Sequence, residues 1–544
     1  MSASITKDVC PLCVSESDST RLSHISSSEW IECSACAQWY HLLCLTLTPK
    51  LAKTINTYHC PSCVDTHGTS TYIRASGRKR SHIDYAAFNR GEVNITQDRH
   101  PYASRFDALL DDATNSIKSG TPTRKKQKID AVRLTWPSLN TDPSTKFPDI
   151  DGAKLTKQWA QKTGILEPVR IPRAHFASLG MELPADLTVR GVADLLGANT
   201  PVQVVDVLTQ NLATPAWTMG AWANYFEKPA DERDRILNVI SLEISGTPLG
   251  DRIRRPKFVC DMDWVDMVWP KDLLAKNDFP KARLYCLMSV KDAFTDFHID
   301  FGGTSVFYHL IYGAKIFVFI RPTLTNLKKY EQWCLSSDQS KTFFADSVRE
   351  CHIVHLTAGD SLIIPSGWIH AVYTPEDSLI IGGNFLTPVN IPTQIQLAKL
   401  EIRTKVPQKF RYPFFDRVVW YAALYYSDLI SAKATNNADF KNEDVADETK
   451  HVLPSLELSG LTNLRDYLLD LVVAAATTSN KSYIKHLNSS LPKDIKRASN
   501  GPQKFLQKFA KQIAQLQSAA DNRDDDDIQL PSWVEDFSIA LKQK

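Results

Sequence analysis

Two histidines and an aspartate are placed to do metal chemistry in this chain of 544 residues. His298 and Asp300 lie two apart in Thr295-Asp296-Phe297-His298-Ile299-Asp300-Phe301-Gly302-Gly303. On an extended strand their side chains leave the same face, and Ile299 points the other way. Two ligands hold a metal poorly. His370, at the end of Gly359-Asp360-Ser361-Leu362-Ile363-Ile364-Pro365-Ser366-Gly367-Trp368-Ile369-His370, is placed to return a third. Two imidazoles and one carboxylate with open positions opposite them form the facial triad of non-haem Fe(II) oxygenases. Oxygen and a chelating co-substrate would take the open positions, and His298, Asp300 and His370 are the expected catalytic residues.

Strands must carry these side chains. Residues 361–364 and 369–373 read as a strand-turn-strand around Pro365-Ser366-Gly367. Residues 283–290 alternate, with Leu284, Cys286, Met288 and Val290 on one face, as in a half-buried strand. Residues 304–311 and 314–320 flank Gly313 and read as a hairpin. In its second arm Lys315 shares a face with Phe317 and Phe319. An ammonium on an apolar face is expensive unless it meets an anion.

A second set of donors lies near the start: Cys10, Cys13, Cys33, Cys36, His41, Cys44, Cys60 and Cys63. Three Cys-x-x-Cys pairs and one His-x-x-Cys pair supply enough ligands for two closed tetrahedral zinc sites. A disulfide framework is disfavoured by the histidine in fifth place and by the absence of an apolar signal region after Met1. The remaining cysteines, Cys260, Cys286, Cys334 and Cys351, read as small buried hydrophobes.

Gly359, Pro365 and His370 on their strand-turn-strand resemble the second cupin motif, and the stretch ending in His298-Ile299-Asp300 resembles the first. Cupins are double-stranded β-helices of the jelly-roll type. Residues 230–402 as a whole resemble the JmjC oxygenases, most closely the JHDM1-type histone lysine demethylases. The resemblance is carried by Asn238-Val239-Ile240-Ser241-Leu242-Glu243, Asp263-Trp264-Val265-Asp266, the His-x-Asp stretch, Gly313-Ala314-Lys315-Ile316-Phe317, Pro365 to His370, and Gly383-Asn384-Phe385-Leu386. It implies an Fe(II) centre and 2-oxoglutarate as co-substrate. Lys315 and Thr295 would grip the far carboxylate, with Tyr308 and Asn238 as further contacts and Asn384 behind the ligands. Residues 407–414 and the aromatic helix after them resemble the segment that closes the catalytic domain of such enzymes.

The order of donors in the N-terminal cluster resembles the PHD finger, since a RING would carry its histidine fourth. That resemblance implies an interleaved pairing, with Cys10, Cys13, His41 and Cys44 on one zinc and Cys33, Cys36, Cys60 and Cys63 on the other. Trp30 and Trp39 stand where PHD fingers that read methylated lysine place aromatic cage walls. A quaternary ammonium over such a face gains about 0.5–2 kcal/mol.

The chain is therefore expected to be multidomain. A zinc-stabilised PHD finger (1–66) and a basic linker without packed structure (67–149) precede a JmjC jelly roll with flanking helices (150–402) and an α-helical region (403–544). The linker carries Arg78-Lys79-Arg80 and Arg124-Lys125-Lys126-Gln127-Lys128, suited to nuclear import or DNA phosphates. Asp84 to Asn89 is an aromatic interlude within it, and Asp524 to Asp527 an acidic turn. Leu461, Leu464, Leu468, Leu471 and Ala475, and then Phe505, Phe509, Ile513 and Leu516, recur at three and four and read as helix packing faces. With a formal net charge of only +2, global charge selects no partner. No run approaches the ~18 apolar residues of a membrane helix, so a nuclear protein without membrane contact is expected.

The activity implied is oxidative N-demethylation of a methylated histone H3 tail, free or in a nucleosome, with release of formaldehyde and succinate. Mono- or dimethylated lysine 36 is the first expectation for the substrate, with lysines 9 and 27 as alternatives. A JmjC protein hydroxylase and a non-catalytic chromatin reader are the rival classes.

Overall fold

A computed structural model of the chain describes residues 10–12, 30–42, 44–45, 47–48, 52, 55–72, 147–339, 342–434, 453–497 and 501–520. They fall into two compact units, Met1–Ile83 and Asp84–Lys544. The two basic clusters, the aromatic interlude, the acidic turn and Cys13 lie outside the described residues.

In the first unit β1 (Trp30–Glu32) pairs antiparallel with β2 (Trp39–His41), and β3 (Ile55–Thr57) with β4 (Thr71–Tyr72). Tyr40 and Tyr58 meet edge to face, ring centroids 6.3 Å apart, beside buried Cys10, Cys33 and Cys60. So small an apolar core does little to offset the entropy of ordering the chain.

The second unit contains β5 (Val169–Ile171), β6 (Pro201–Val202), β7 (Val205–Asp206), β8 (Asn211–Leu212), β9 (Trp217–Thr218), β10 (Leu237–Glu243), β11 (Tyr285–Ser289), β12 (Phe294–His298), β13 (Ser305–Ile320), β14 (His352–Thr357), β15 (Ser361–Ile364) and β16 (Ile369–Phe385). β6 and β9 form a separate ribbon; the other strands make one sheet of ten. β13 and β16 are its axis, paired from Ser305 opposite Phe385 to Ile320 opposite Ile369, with register shifts between Leu310 and Ile316. Such bulges bend a ladder. The first half of β13 consequently has β15 as its outer neighbour and the second half β14, while β16 pairs first with β12 and then with β11. One continuous sheet thereby becomes two facing halves, a jelly roll. Tyr308, Phe317, Phe319, Leu362, Trp368 and Ile380 fill the space between them.

Residues 304–311 and 314–320, expected as the two arms of a hairpin, are thus a single bent strand. Gly313 is its pivot, with φ +86°, and a Cβ there would lie 2.2 Å from the Asp377 carbonyl oxygen. A glycine between two apolar runs looks the same in sequence whether the chain turns back or only bulges. The alternation over residues 283–290 corresponds to β11, with Cys286 and Met288 fully buried on one face. Of the scattered cysteines only Cys286 is buried; Cys260, Cys334 and Cys351 are half-buried.

Helices Ile391–Arg403, Phe415–Ala434, Ser455–Thr477 and Gly501–Ala520 follow the roll. Leu461, Leu464, Leu468, Phe509 and Ile513 are buried in a common core with Trp264 and Trp420, and Leu471, Ala475, Phe505 and Leu516 pack at its edge. The spacing of three and four does mark the packing faces. Buried Asp263 joins this layer to the roll, accepting from Arg255 Nη1 at 2.9 Å and from Arg283 Nε at 3.3 Å. Removing either arginine would leave a buried carboxylate short of a partner, a strongly destabilising change. No helix among the described residues is long and apolar enough to cross a membrane.

Candidate metal centre and anion socket

His298 closes β12 and His370 stands second in β16, where the register sets them directly opposite each other. The strand stops at His298 and does not run through Asp300 as expected. Asp300 is still extended (φ −60°, ψ 138°), and then leads the 3-10 turn Phe301–Gly303. Its carboxylate stays on the side of the histidines. Donor atoms of His298, Asp300 and His370 lie within 4.8 Å of one another, with His370 Nε2 3.8 Å from Asp300 Oδ2.

Backbone carbonyls orient both imidazoles. His298 Nδ1 lies 2.8 Å from the Asp296 oxygen and His370 Nδ1 3.1 Å from the Trp368 oxygen. A carbonyl can only accept, so each Nδ1 carries the proton and each Nε2 offers a lone pair. That is the tautomer a metal ligand needs. Burial, and then the neighbouring His298, hold His370 well below the ordinary imidazole range, in its neutral form. Burial pushes the Asp300 carboxyl up, opposed by His298 and by Asn384, whose Nδ2 donates to Asp300 Oδ1 at 3.3 Å and to Thr304 Oγ1 at 2.8 Å. A cation between the three groups would reverse that shift. The donor set fits a two-histidine, one-carboxylate metal site.

Lys315 is 3% exposed. Its Nζ donates to Ser289 Oγ and to Thr374 Oγ1, each at 2.7 Å. No ion pair of Lys315 occurs among the described residues, and burial alone pushes its pKa down to about 7. An ammonium has three donors, and these two hydroxyls take two of them. The hydrogen bonds continue from Ser289 Oγ to Asn238 Oδ1 at 2.7 Å and from Asn238 Nδ2 to Thr295 Oγ1 at 3.4 Å. Lys315, Asn238 and Thr295 are therefore joined through Ser289 in one chain of hydrogen bonds. Tyr308 is buried in the same interior, its ring edge-on to Phe317 with centroids 5.2 Å apart, and takes no part in that chain of bonds.

Ser289 and Thr374 were not expected from sequence. A signal for Thr374 existed: it is four residues after His370 on one strand, and a count by twos carries it to the same face. Ser289, the last residue of its strand, offered no such anchor.

In the first unit the donors form two groups. Cys33, Cys36, Cys60 and Cys63 bring their sulfurs within 4.8 Å of one another, and Cys10, His41 and Cys44 meet within the same limit. Backbone N–H groups of Cys60 and His41 donate to Cys33 Sγ at 3.3 Å and Cys10 Sγ at 3.4 Å, which favours thiolates there. Four thiols at such separations suit tetrahedral zinc. Trp30 packs on His41 with ring centroids 3.8 Å apart, and half-buried Trp39 lies opposite Glu32 on the same face of the ribbon.

A jelly roll that closes on two histidines and a carboxylate, followed by stacked helices, defines a JmjC-type protein. The Jumonji helical domain family matches residues 389–457. "JmjC domain-containing histone demethylation protein 1" of Yarrowia lipolytica is 40% identical over 493 residues, 90% of this chain and 86% of that protein. The protein of the same name in Candida albicans is 40% identical over 441 residues, 78% and 85% of the two chains. "Lysine-specific demethylase 2A" of Xenopus tropicalis is 41% identical over 308 residues, 55% of this chain and 26% of that longer protein. The chain belongs to the JmjC domain-containing histone demethylation protein 1 family.

Proposed function

We propose that this protein is an Fe(II)- and 2-oxoglutarate-dependent demethylase of methylated lysine on histone H3, acting on mono- or dimethylated lysine 36, and so a nuclear regulator of chromatin. The carrying observation is the pairing of two sites in one roll: a His/Asp/His cluster in which both Nδ1 atoms are held by backbone carbonyls, and a buried lysine whose hydrogen bonds among the described residues go to hydroxyls.

His298, Asp300 and His370 would hold the iron. Lys315 and Thr295 would bind the far carboxylate of 2-oxoglutarate, with Asn238 holding Thr295, and Tyr308 closing the pocket. Bound there, iron and 2-oxoglutarate would let dioxygen act as the oxidant: one oxygen atom converts the keto acid to succinate and carbon dioxide, and the other hydroxylates an N-methyl group, which then leaves as formaldehyde. The chain's own part is orientation and exclusion of water. Phe317 and Phe319 stack with centroids 5.4 Å apart and lie 6.0 and 5.5 Å from the His370 ring, giving one side of the centre an apolar wall. In low dielectric a charged grip on the co-substrate is stronger than in water.

The N-terminal unit is proposed to hold two zinc ions, with Cys13 as the fourth donor beside Cys10, His41 and Cys44, and to read the histone tail through Trp39. The basic linker is proposed to contact nucleosomal DNA.

Incubation with methylated H3 peptides, Fe(II), ascorbate and 2-oxoglutarate, followed by mass spectrometry, tests the assignment. Loss of methyl groups with release of formaldehyde is expected, fastest for the lysine 36 peptide. A gain of oxygen without loss of methyl would make the protein a hydroxylase. No change on any peptide would make it a reader.

A further inference from the structure

The turn that carries Asp300 is held from outside the roll. Gly302 and Gly303 both have φ +62°. A Cβ on Gly302 would lie 2.8 Å from Tyr412 Cβ, and one on Gly303 2.8 Å from Leu397 Cδ1 and 3.1 Å from Gln394 Cα. The turn is thus pressed against helix Ile391–Arg403 and the segment behind it. Backbone N–H groups so buried must find acceptors. That of Gly303 returns to the Asp300 carbonyl at 3.1 Å. That of Gly302 reaches Glu401 Oε1, in the last turn of the helix, at 2.7 Å. From the opposite side Ser366 Oγ donates to the Gly303 carbonyl at 2.5 Å, linking the turn to the loop that leads into His370.

We propose that Glu401 is a positioning residue for Asp300, so that the helical extension forms part of the machinery that sets the metal centre. The inference rests on the reading of Asp300 as a metal ligand. Asp300 lies beyond the end of β12, where ladder hydrogen bonds no longer direct its carboxylate. Its direction depends on the turn, and the turn is held by three tethers: Asn384 on the carboxylate, Ser366 on the Gly303 carbonyl, and Glu401 on the Gly302 N–H. Glu401 keeps this place although burial pushes its carboxyl up to about 7, opposed by the Gly302 N–H and by Arg411. An apolar side chain would fill the space without that penalty; only an acceptor orients the peptide.

The test measures Mn(II) binding to the zinc-loaded full chain, read from loss of the free-ion electron paramagnetic resonance signal, together with kcat and KM on an H3 peptide. Glu401→Leu is expected to weaken Mn(II) binding about tenfold, the scale of groups that orient metal ligands, and to lower kcat with KM for peptide unchanged. Glu401→Gln keeps an acceptor oxygen and is expected to restore Mn(II) affinity to within about twofold of wild type. Glu401→Asp, one methylene shorter, withdraws the oxygen from Gly302 and reads the same contact should the leucine variant fail to fold; its affinity should also fall. Wild-type Mn(II) affinity in Glu401→Leu and Glu401→Asp, or a glutamine variant as weak as the leucine one, overturns the proposal. Asp300→Ala separates the two readings. If it binds Mn(II) like wild type, the metal assignment fails; if it loses Mn(II) while Glu401→Leu does not, only the positioning role fails.

Discussion

His298 and His370 face each other across an antiparallel pair, Cα opposite Cα, with ring centroids 4.2 Å apart. Two of the three proposed metal donors are thus set by strand register, and the third by the turn that follows. Because the ladder is made by the backbone, truncating either imidazole leaves the strands paired.

His370→Ala and Asp300→Ala are therefore expected to stay folded by circular dichroism while formaldehyde release falls by at least about three orders of magnitude, several kcal/mol of stabilisation being lost with the metal. Iron content by mass spectrometry should fall in parallel. A variant that kept its iron and a tenth of its activity would exclude that residue from the centre.

Lys315→Met should raise KM for 2-oxoglutarate at least about 30-fold, since removing one partner of a buried charge pair costs about 2 kcal/mol or more. Ser289→Ala deletes only a hydroxyl between Lys315 and Asn238, and about fivefold is expected, one hydrogen bond of about 1 kcal/mol. Equal effects on an unrelated H3-peptide KM would show that both substitutions merely loosen the roll.

The same lysine predicts a pH dependence. Burial sets its pKa at about 7, and an anion bound beside it can only raise that value. Below pH 7 the ammonium is already formed and binding of 2-oxoglutarate should be flat with pH. Above pH 7 each binding event must take up a proton, and affinity falls by as much as about tenfold per unit. Calorimetry at pH 8 in buffers of different ionisation heat should report that uptake, and at pH 6 almost none. Identical heats in all buffers at pH 8 would mean that Lys315 is charged without its anion.

Trp30 and Trp39 should separate by substitution. Trp30 stacks on His41, so Trp30→Ala is expected to release zinc more easily under chelation. Trp39→Ala should retain both ions and lose about 2- to 30-fold in affinity for a trimethylated H3 peptide, the range of one cation–π contact. Should Trp39→Ala bind that peptide unchanged, the ribbon does not read methyl-lysine.

Much of this organisation was legible because it follows local rules. The cysteine and histidine spacings point to clustered metal donors, residues three and four apart must share a helix face, and the stretch around His298 joins to Pro365 through His370 by a known family pattern. The parts that were not legible depend on contacts between distant segments. Gly313 reads as a turn until the facing strand is known to pair with both of its flanks. Ser289 and Thr374 matter only because Lys315 reaches them from another strand. Glu401 is an ordinary helical carboxylate in sequence, and becomes informative through a backbone N–H 99 residues away.

His370, Thr374 and Asn384 all belong to β16. Losing a single codon between the first two would shift one half of that strand by one residue and turn its inner row outward, carrying either the imidazole or the hydroxyl away from its partner. The spacing between the proposed metal ligand and the lysine's partner is thus fixed by the strand's own residue count.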